Sequence, residues 1–333
     1  MISTVQRRRV LIRPRVAAGA AGAAGALYFL SDKKNLRFIH SGCTLLDCVL
    51  GGGWPLGRVV NIVGDRSTGK SLLAMEAIAN FFRDYPDGQV WYNEAEAAFD
   101  TDYAHALGIP FDRVTYIEDC TTVEDMFTSI DSAMKAEVGE DTPGLYIVDS
   151  LDSLSDTAER GRGIADPTYG GSKARKLSEV FRRIAQDLKS SHICLMIISQ
   201  VRDNIGVSFG EKLTRSGGKA LDFYASQVLW LAHVGILKRT VEKVERPVGI
   251  KIRAKCKKNK VGFPFRECDF EISFGYGIED AKASRAWLTS IGRSVLVNTS
   301  LQEELLRNVV KEEWFRIERS FLPTKHKYGG DST

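Results

Sequence analysis

Six cysteines in 333 residues include no CxxC pair and none at a ligand spacing from a histidine. That argues against a disulfide-stapled or zinc-organised framework. Cys43, Cys48, Cys120, Cys194, Cys256 and Cys268 read instead as reduced, mostly buried thiols in a cytosolic-type compartment. No repeat of the length that builds solenoids or propellers is visible; AAGAAGAAG is only a local low-complexity tract. A strongly one-signed charge is missing too. The net charge is +4, but residues 1–31 hold five arginines and no acid, so the remainder carries −1. The chain has local basic regions on a neutral body. The apolar stretch from Val16 to Leu30 is 15 residues, short of the roughly 20 that span a bilayer, and it is rich in glycine.

RRRVLIRPR followed by that stretch fits the first two regions of a signal peptide, an Arg-rich transit peptide, or a flexible basic arm leading into a small packing helix. The last is favoured because the chemistry downstream is intracellular. Beyond Phe38, apolar runs alternate with amphipathic segments. RVVNIVG, QVWYNEAE, VTYIE, GLYIVDS and ICLMIISQ read as strands; GKSLLAMEAIANFFRDY, VEDMFTSIDSAMKAE and SKARKLSEVFRRIAQDLKSS read as helices. Thr121 and Glu124 are expected to form a capping box at the start of the second helix. Near-continuously apolar strands separated by helices predict a parallel α/β sheet covered on both faces. After Ser226, QVLWLAHVGIL, VGIKIRAKCKK and FRECDFEISF follow one another as strands, an antiparallel edge. LQEELLRNVVKEEWFRI is a helix in a small C-terminal piece.

Between the first strand and the first helix lies GDRSTGKS, residues 64–71, which matches G-x-x-x-x-G-K-[ST] in the context that motif requires. Gly64, Asp65, Arg66, Ser67, Thr68 and Gly69 would wrap a nucleotide's phosphates with backbone N–H groups, Lys70 would add charge, and the Ser71 hydroxyl would reach Mg²⁺. Asp149, ending an apolar strand, is the natural second acid for the metal. NEAEAAFD supplies Glu94 and Glu96, either of which could orient a water, and residue type alone does not choose between them. Two glycine-rich, basic stretches follow strand ends, one after Asp149 and one after Gln200. Such loops at one sheet edge could clasp a polyanion. KCKKNK, residues 255–260, has three readings: a nucleic-acid patch, a phosphate site or plain surface.

Taken together, IHSG, LDCVLGGGWPLGRVVNIVGDRSTGKS, EAEAAFDTDYAHALGI, LYIVDSLDSL, IISQVRDNIGVSFG, SGGKALDFYAS and KKNKVGFPF resemble the RecA family of homologous recombinases, bacterial and phage-type branch, over roughly residues 36–278. The resemblance implies a RecA-like P-loop NTPase core at 37–278, a basic N-terminal arm at 1–36 and a small C-terminal region at 279–333. It puts the catalytic glutamate on Glu96, the adenine-stacking aromatic on Tyr103 and the γ-phosphate sensor on Gln200. Lys258 and Lys260 match lysines that reach ATP on the neighbouring protomer. Segments 159–171 and 201–216 resemble the two DNA-binding loops; DNA contacts are expected from Arg162, Arg202, Asn204, Ile205, Arg215, Gly217 and Gly218, from Arg175 and Arg182 on the helix after the first loop, and from Tyr169 where that loop departs from the family, Ile205 being the side chain wedged between base triplets. The first loop, GRGIADPTYGG, departs from the family pattern, as do Asp65-Arg66 in the phosphate loop and both chain ends, which resemble diverged phage or prophage members.

The expected protein is a cytoplasmic, DNA-dependent ATPase with ATP and Mg²⁺ as ligands. It would form a helical filament on single-stranded DNA and exchange strands with double-stranded DNA, without a membrane partner. A ring helicase of the same core fold and a regulatory paralogue are the alternatives. SGGKALDFYAS and KKNK weigh against the first, and the intact phosphate loop with Glu96 against the second.

Overall fold

A computed structural model describes residues 36–96, 99, 101–136, 138–139, 141–161, 171–203, 213–215, 218–296 and 302–323. The chain opens with β1 (Phe38–Ile39), α1 (Thr44–Leu50) and β2 (Trp54–Pro55). The α/β repeat follows: β3 (Val59–Gly64), α2 (Lys70–Asp84), β4 (Gln89–Glu94), α3 (Thr101–Ala106), β5 (Val114–Ile117), α4 (Val123–Met134) and β6 (Gly144–Asp149). Next come the short α5 (Thr157–Arg160), the long α6 (Ser172–Ser190), β7 (Ile193–Asp203), β8 (Leu213–Arg215) and α7 (Gly218–Tyr224). The chain then turns to β9 (Gln227–Val241), β10 (Val244–Asn259), β11 (Arg266–Ser273) and β12 (Gly277–Ile278), and ends in α8 (Asp280–Ser290) and α9 (Glu303–Ser320).

Strand order is β12-β11-β10-β9-β3-β7-β6-β4-β5, with β8 added antiparallel to the end of β7. The pairs from β9 through β3, β7, β6 and β4 to β5 are parallel, and those from β9 to β12 antiparallel. This is the mostly parallel, two-faced sheet with an antiparallel edge that the apolar strands imply. Alternation divides each central strand between two cores. Val60, Ile62, Leu145, Ile147, Met196 and Ile198 face α1, α2, α8 and α9. Val59, Val63, Tyr146, Val148, Leu195 and Ile197 face α4 and α6. On α6, Leu177, Val180, Phe181, Ile184 and Leu188 form the stripe that meets the second core. Each fully buried side chain of this kind is worth roughly 1.5–3 kcal/mol.

One detail differs from the sequence reading. The capping box on α4 is Thr122 with Asp125, one residue on: Thr122 Oγ1 accepts from Asp125 N at 3.1 Å and Asp125 returns the bond at 3.0 Å. The C-terminal helices have no core of their own among the described residues. Leu288, Leu306, Val310 and Trp314 belong to the first core, with Trp287 stacked obliquely on Trp314 and Arg266 forked onto Glu318 at 2.8 and 2.7 Å. Cys43, ahead of α1, offers no side-chain cap. Asp280 takes that role from α8, accepting from Thr44 N at 2.7 Å and Thr44 Oγ1 at 2.9 Å, and Arg307 of α9 braces it at 3.1 Å. All six cysteines are buried and unpaired with one another.

Candidate functional site

Register places the chemistry. Gly64 pairs with Gln200 and Glu94 with Asp149, so the carboxyl ends of β3, β7, β6 and β4 finish in one row. In open α/β sheets this edge is where ligands bind.

The loop after β3 turns back through Ser67 and Gly69, both at positive φ (56° and 80°), and Gly69 opens α2. The positive φ of Gly69 is what calls for glycine there; a Cβ would lie 2.7 Å from Ile272 Cδ1, the far end of a side chain that can shift. Asp65, Arg66 and Ser67 are exposed while Thr68 and Lys70 are buried. Asp65 O accepts from Lys70 Nζ at 2.7 Å and Thr68 Oγ1 at 2.8 Å, which curls the loop around the helix N-terminus. A tight turn at a helix N-terminus with an ammonium beside it is an arrangement that suits phosphates. Burial lowers the Lys70 pKa, while Asp149, Glu96, Asp65 and Asp152 act to raise it.

Asp149 is buried at the end of β6, and Tyr92 OH donates to its Oδ2 at 2.7 Å. Burial raises the Asp149 pKa; the hydrogen bonds from Ser71 and Tyr92 oppose that rise. A hydroxyl and a carboxylate held together are two hard oxygen donors, the set that suits Mg²⁺ alongside phosphates.

The two candidate glutamates part company. Glu94 Oε1 accepts from the backbone of Phe99 and so closes its own turn. Glu96 is exposed, and its Oε1 accepts from Gln200 Nε2 at 2.6 Å, from Ser150 Oγ, and from Ser153 Oγ at 3.4 Å. Gln200 N in turn donates to Asp152 Oδ2 at 2.7 Å. Tyr103 lies half-buried on α3 against the first core, beside Gly277.

Lys258 and Lys260 meet at the C-terminus of α7. Lys258 Nζ donates to the carbonyls of Asp222 and Phe223, the latter at 2.9 Å, and Lys260 Nζ reaches Phe223 O at 3.3 Å. Those carbonyls are helix-end acceptors, and the lysines satisfy them. Burial, then the adjacent Lys260, pushes the Lys258 pKa down to about 8. The other two lysines of KCKKNK are used elsewhere: Lys255 pairs with Glu267 at 3.0 Å, and Lys257 Nζ sits 3.7 Å from the Trp230 ring centroid.

Of the residues expected to touch DNA, Arg175 and Arg182 are exposed on α6, seven positions apart and off its buried stripe. Arg215, also expected to touch DNA, has a side chain that is 3% exposed and binds Asn61 Oδ1 and Asp222 Oδ1, which braces the sheet. Arg162, Tyr169, Asn204, Ile205 and Gly217 lie outside the described residues. Arg202 and Gly218 are placed only through the backbones of β7 and α7.

Sequence reasoning passed over Tyr92, Ser150, Asp152, Ser153 and Lys173. Lys173, at the start of α6, donates to the carbonyls of Leu151 (2.9 Å), Asp152 (3.3 Å) and Leu154. The only signal was the polar run after Asp149, DSLDS, at the mouth of an otherwise apolar strand.

Comparison with known proteins matches residues 21–279 to the model of the RecA N-terminal domain. Protein RecA of Nostoc punctiforme is 35% identical over 256 residues, 76% of this chain and 68% of that protein. Protein RecA of Prochlorococcus marinus and of Streptomyces coelicolor are each 35% identical, over 256 and 257 residues, covering 76% of this chain and 66% of theirs.

Proposed function

This chain belongs to the RecA family, and from that premise we propose that it is an ATP-dependent DNA recombinase. It assembles as a helical filament on single-stranded DNA and exchanges strands with a homologous duplex in the cytoplasm. Among the described residues no helix is long and apolar enough to cross a membrane. The observation that carries the reading is the contact of Gln200 with Glu96. One strand, β7, joins the glutamate best placed to act on a nucleotide to the segment that resembles the second DNA loop. An ATPase whose turnover answers to DNA needs such a link.

The N–H groups of residues 64–70 and the Lys70 ammonium hold the phosphates, and Tyr103 stacks on the adenine. Ser71 and Asp149 would hold Mg²⁺, whose charge would offset that developing on the phosphate oxygens. Glu96 aligns a water with the γ-phosphorus and accepts its proton as the P–O bond to ADP breaks. Gln200 registers the γ-phosphate, and Lys258 and Lys260 leave their own α7 to meet the nucleotide of the adjacent protomer. Arg175, Arg182, Arg202 and the two loops follow the DNA backbone, which makes binding sequence-tolerant and salt-dependent.

The test is electron microscopy with ATP and single-stranded DNA beside a strand-exchange assay. Helical filaments and joint molecules are expected; closed hexameric rings with unwinding activity would replace this reading with a ring motor.

A further inference from the structure

The turn Ser150–Leu154 is a junction between the nucleotide site and the bases of both loop segments. Ser150 and Ser153 contact Glu96 through their hydroxyls, and Asp152 Oδ2 accepts from the backbone N–H of Gln200 at 2.7 Å. From the other side Lys173, two residues past the first loop segment, grips the turn by three carbonyls. Leu151 N also donates to Ile198 O at 3.0 Å, tying the turn to β7 directly. Asp152 is half-buried, and its charge is felt at Lys70.

We propose that Asp152 is a positioning residue: a pivot that fixes the backbone of Gln200 while its side chain exchanges between Glu96 and the nucleotide. The inference rests on the ATPase reading above. In the arrangement described, Glu96 Oε1 accepts from Gln200 Nε2 and two serine hydroxyls, so Gln200 helps to fix the direction in which the carboxylate points. A bound nucleotide's γ-phosphate would offer the Gln200 amide acceptors that compete with Glu96 Oε1. An amide that swings between two partners serves as a switch only if its own Cα stays put. The charge-assisted bond from Asp152 supplies that anchorage at the residue where β7 passes into the second loop segment. Without it, the strand end frays, and Gln200 directs Glu96 less well and meets the nucleotide less well on DNA. The two rates converge.

Asp152→Ala should therefore lower ATP turnover with single-stranded oligo-dT far more than without DNA, cutting the stimulation ratio by about tenfold. That factor follows from losing one hydrogen bond to a charged group. The KM for ATP should stay within about twofold, because the phosphate loop is untouched. Asp152→Asn keeps an acceptor oxygen at the same place without the charge and should give a ratio between those of the alanine variant and the wild type. Hydrogen exchange should quicken at 199–203 in the alanine variant while β3 and β6 keep their protection. If Asp152→Ala fails to fold, Asp152→Asn decides alone: complete loss of stimulation in a folded asparagine variant would mean that charge toward Lys70, not the bond to Gln200, is what matters, and the pivot is overturned. An unchanged ratio in a folded Asp152→Ala also overturns it. Wild-type protein that shows no DNA-stimulated hydrolysis would sink the ATPase reading itself, a result separable from either of these.

Discussion

Arg215→Ala separates an arginine that holds the fold from one that holds DNA. The side chain is 3% exposed, with one arm of the guanidinium on Asn61 Oδ1 and the other on Asp222. Asn61 is fully buried, and its amide nitrogen is already committed to Ile197 O and Ser199 Oγ, both at 2.9 Å. Flipping that amide to rescue the orphaned oxygen would break two bonds, so the oxygen stays unsatisfied at a cost of roughly 1–3 kcal/mol. The lost methylene stem adds about 2 kcal/mol of burial. Asp222 is 62% exposed and simply rehydrates. A destabilisation of about 3–5 kcal/mol should lower Tm by roughly 4–7 °C. Below the transition, the salt dependence of single-strand binding should be unchanged. Differential scanning calorimetry and a salt titration of oligo-dT binding read the two effects. If Tm moves by less than about 1 °C while the log–log salt slope flattens by about 0.7, Arg215 neutralises a phosphate and the burial argument fails. The exposed Arg175 and Arg182 should show the opposite pattern, a flatter slope at unchanged Tm.

Glu96→Gln should abolish most ATP turnover and lengthen filament lifetime while sparing nucleotide and DNA binding; hydrolysis within a few-fold of wild type would redirect attention to Glu94. A Lys258→Ala/Lys260→Ala chain mixed with a Lys70→Ala chain should recover part of the ATPase that each lacks alone, because one kind of mixed junction pairs an intact phosphate loop with intact lysines. Co-assembly without recovery would return those lysines to the end of their own α7. Burial raises the pKa of Asp47 from its ordinary 3.8 to about 6, partly offset by the hydrogen bonds from Ser41 and by His40 and Lys311. The folded state therefore holds that proton more tightly than the unfolded chain, and stability declines as pH rises through that window, by roughly 3 kcal/mol. Asp47→Asn should flatten the decline in urea melts taken between about pH 4 and 6; a slope identical to wild type would show that Asp47 ionises freely.

Periodicity revealed the elements whose faces differ and missed those whose faces do not. α6 carries a clean apolar stripe and was legible, whereas all seven residues of α1 are buried, so TLLDCVL shows no polar face to betray a helix. The capping box slipped by one because Thr121 and Glu124 satisfy the same pattern as Thr122 and Asp125. What decides is tertiary: Thr121 O accepts from Ser155 N at 3.1 Å, and Glu124 is turned toward Thr157 and Lys176. At the site, backbone geometry made the phosphate loop readable, since the motif is itself a constraint on φ. The contacts of Glu96 were not readable, because Ser150, Ser153 and Gln200 lie 54 to 104 positions away and meet it only through sheet register.

The cap that α8 places on α1 has a consequence for how the chain can be divided. Similarity to the family's model ends at residue 279, one position before Asp280, whose carboxylate closes the N-terminus of α1 some 236 positions upstream. A protein trimmed at Glu279 would keep every residue of the nucleotide site and still leave an internal helix with open N–H groups, and the face of the core that Leu288, Leu306 and Val310 seal would lie bare. Replacing the tail at that seam would mean rebuilding a buried joint. In this chain the segment that must be inherited together is longer than the segment that is recognisably shared.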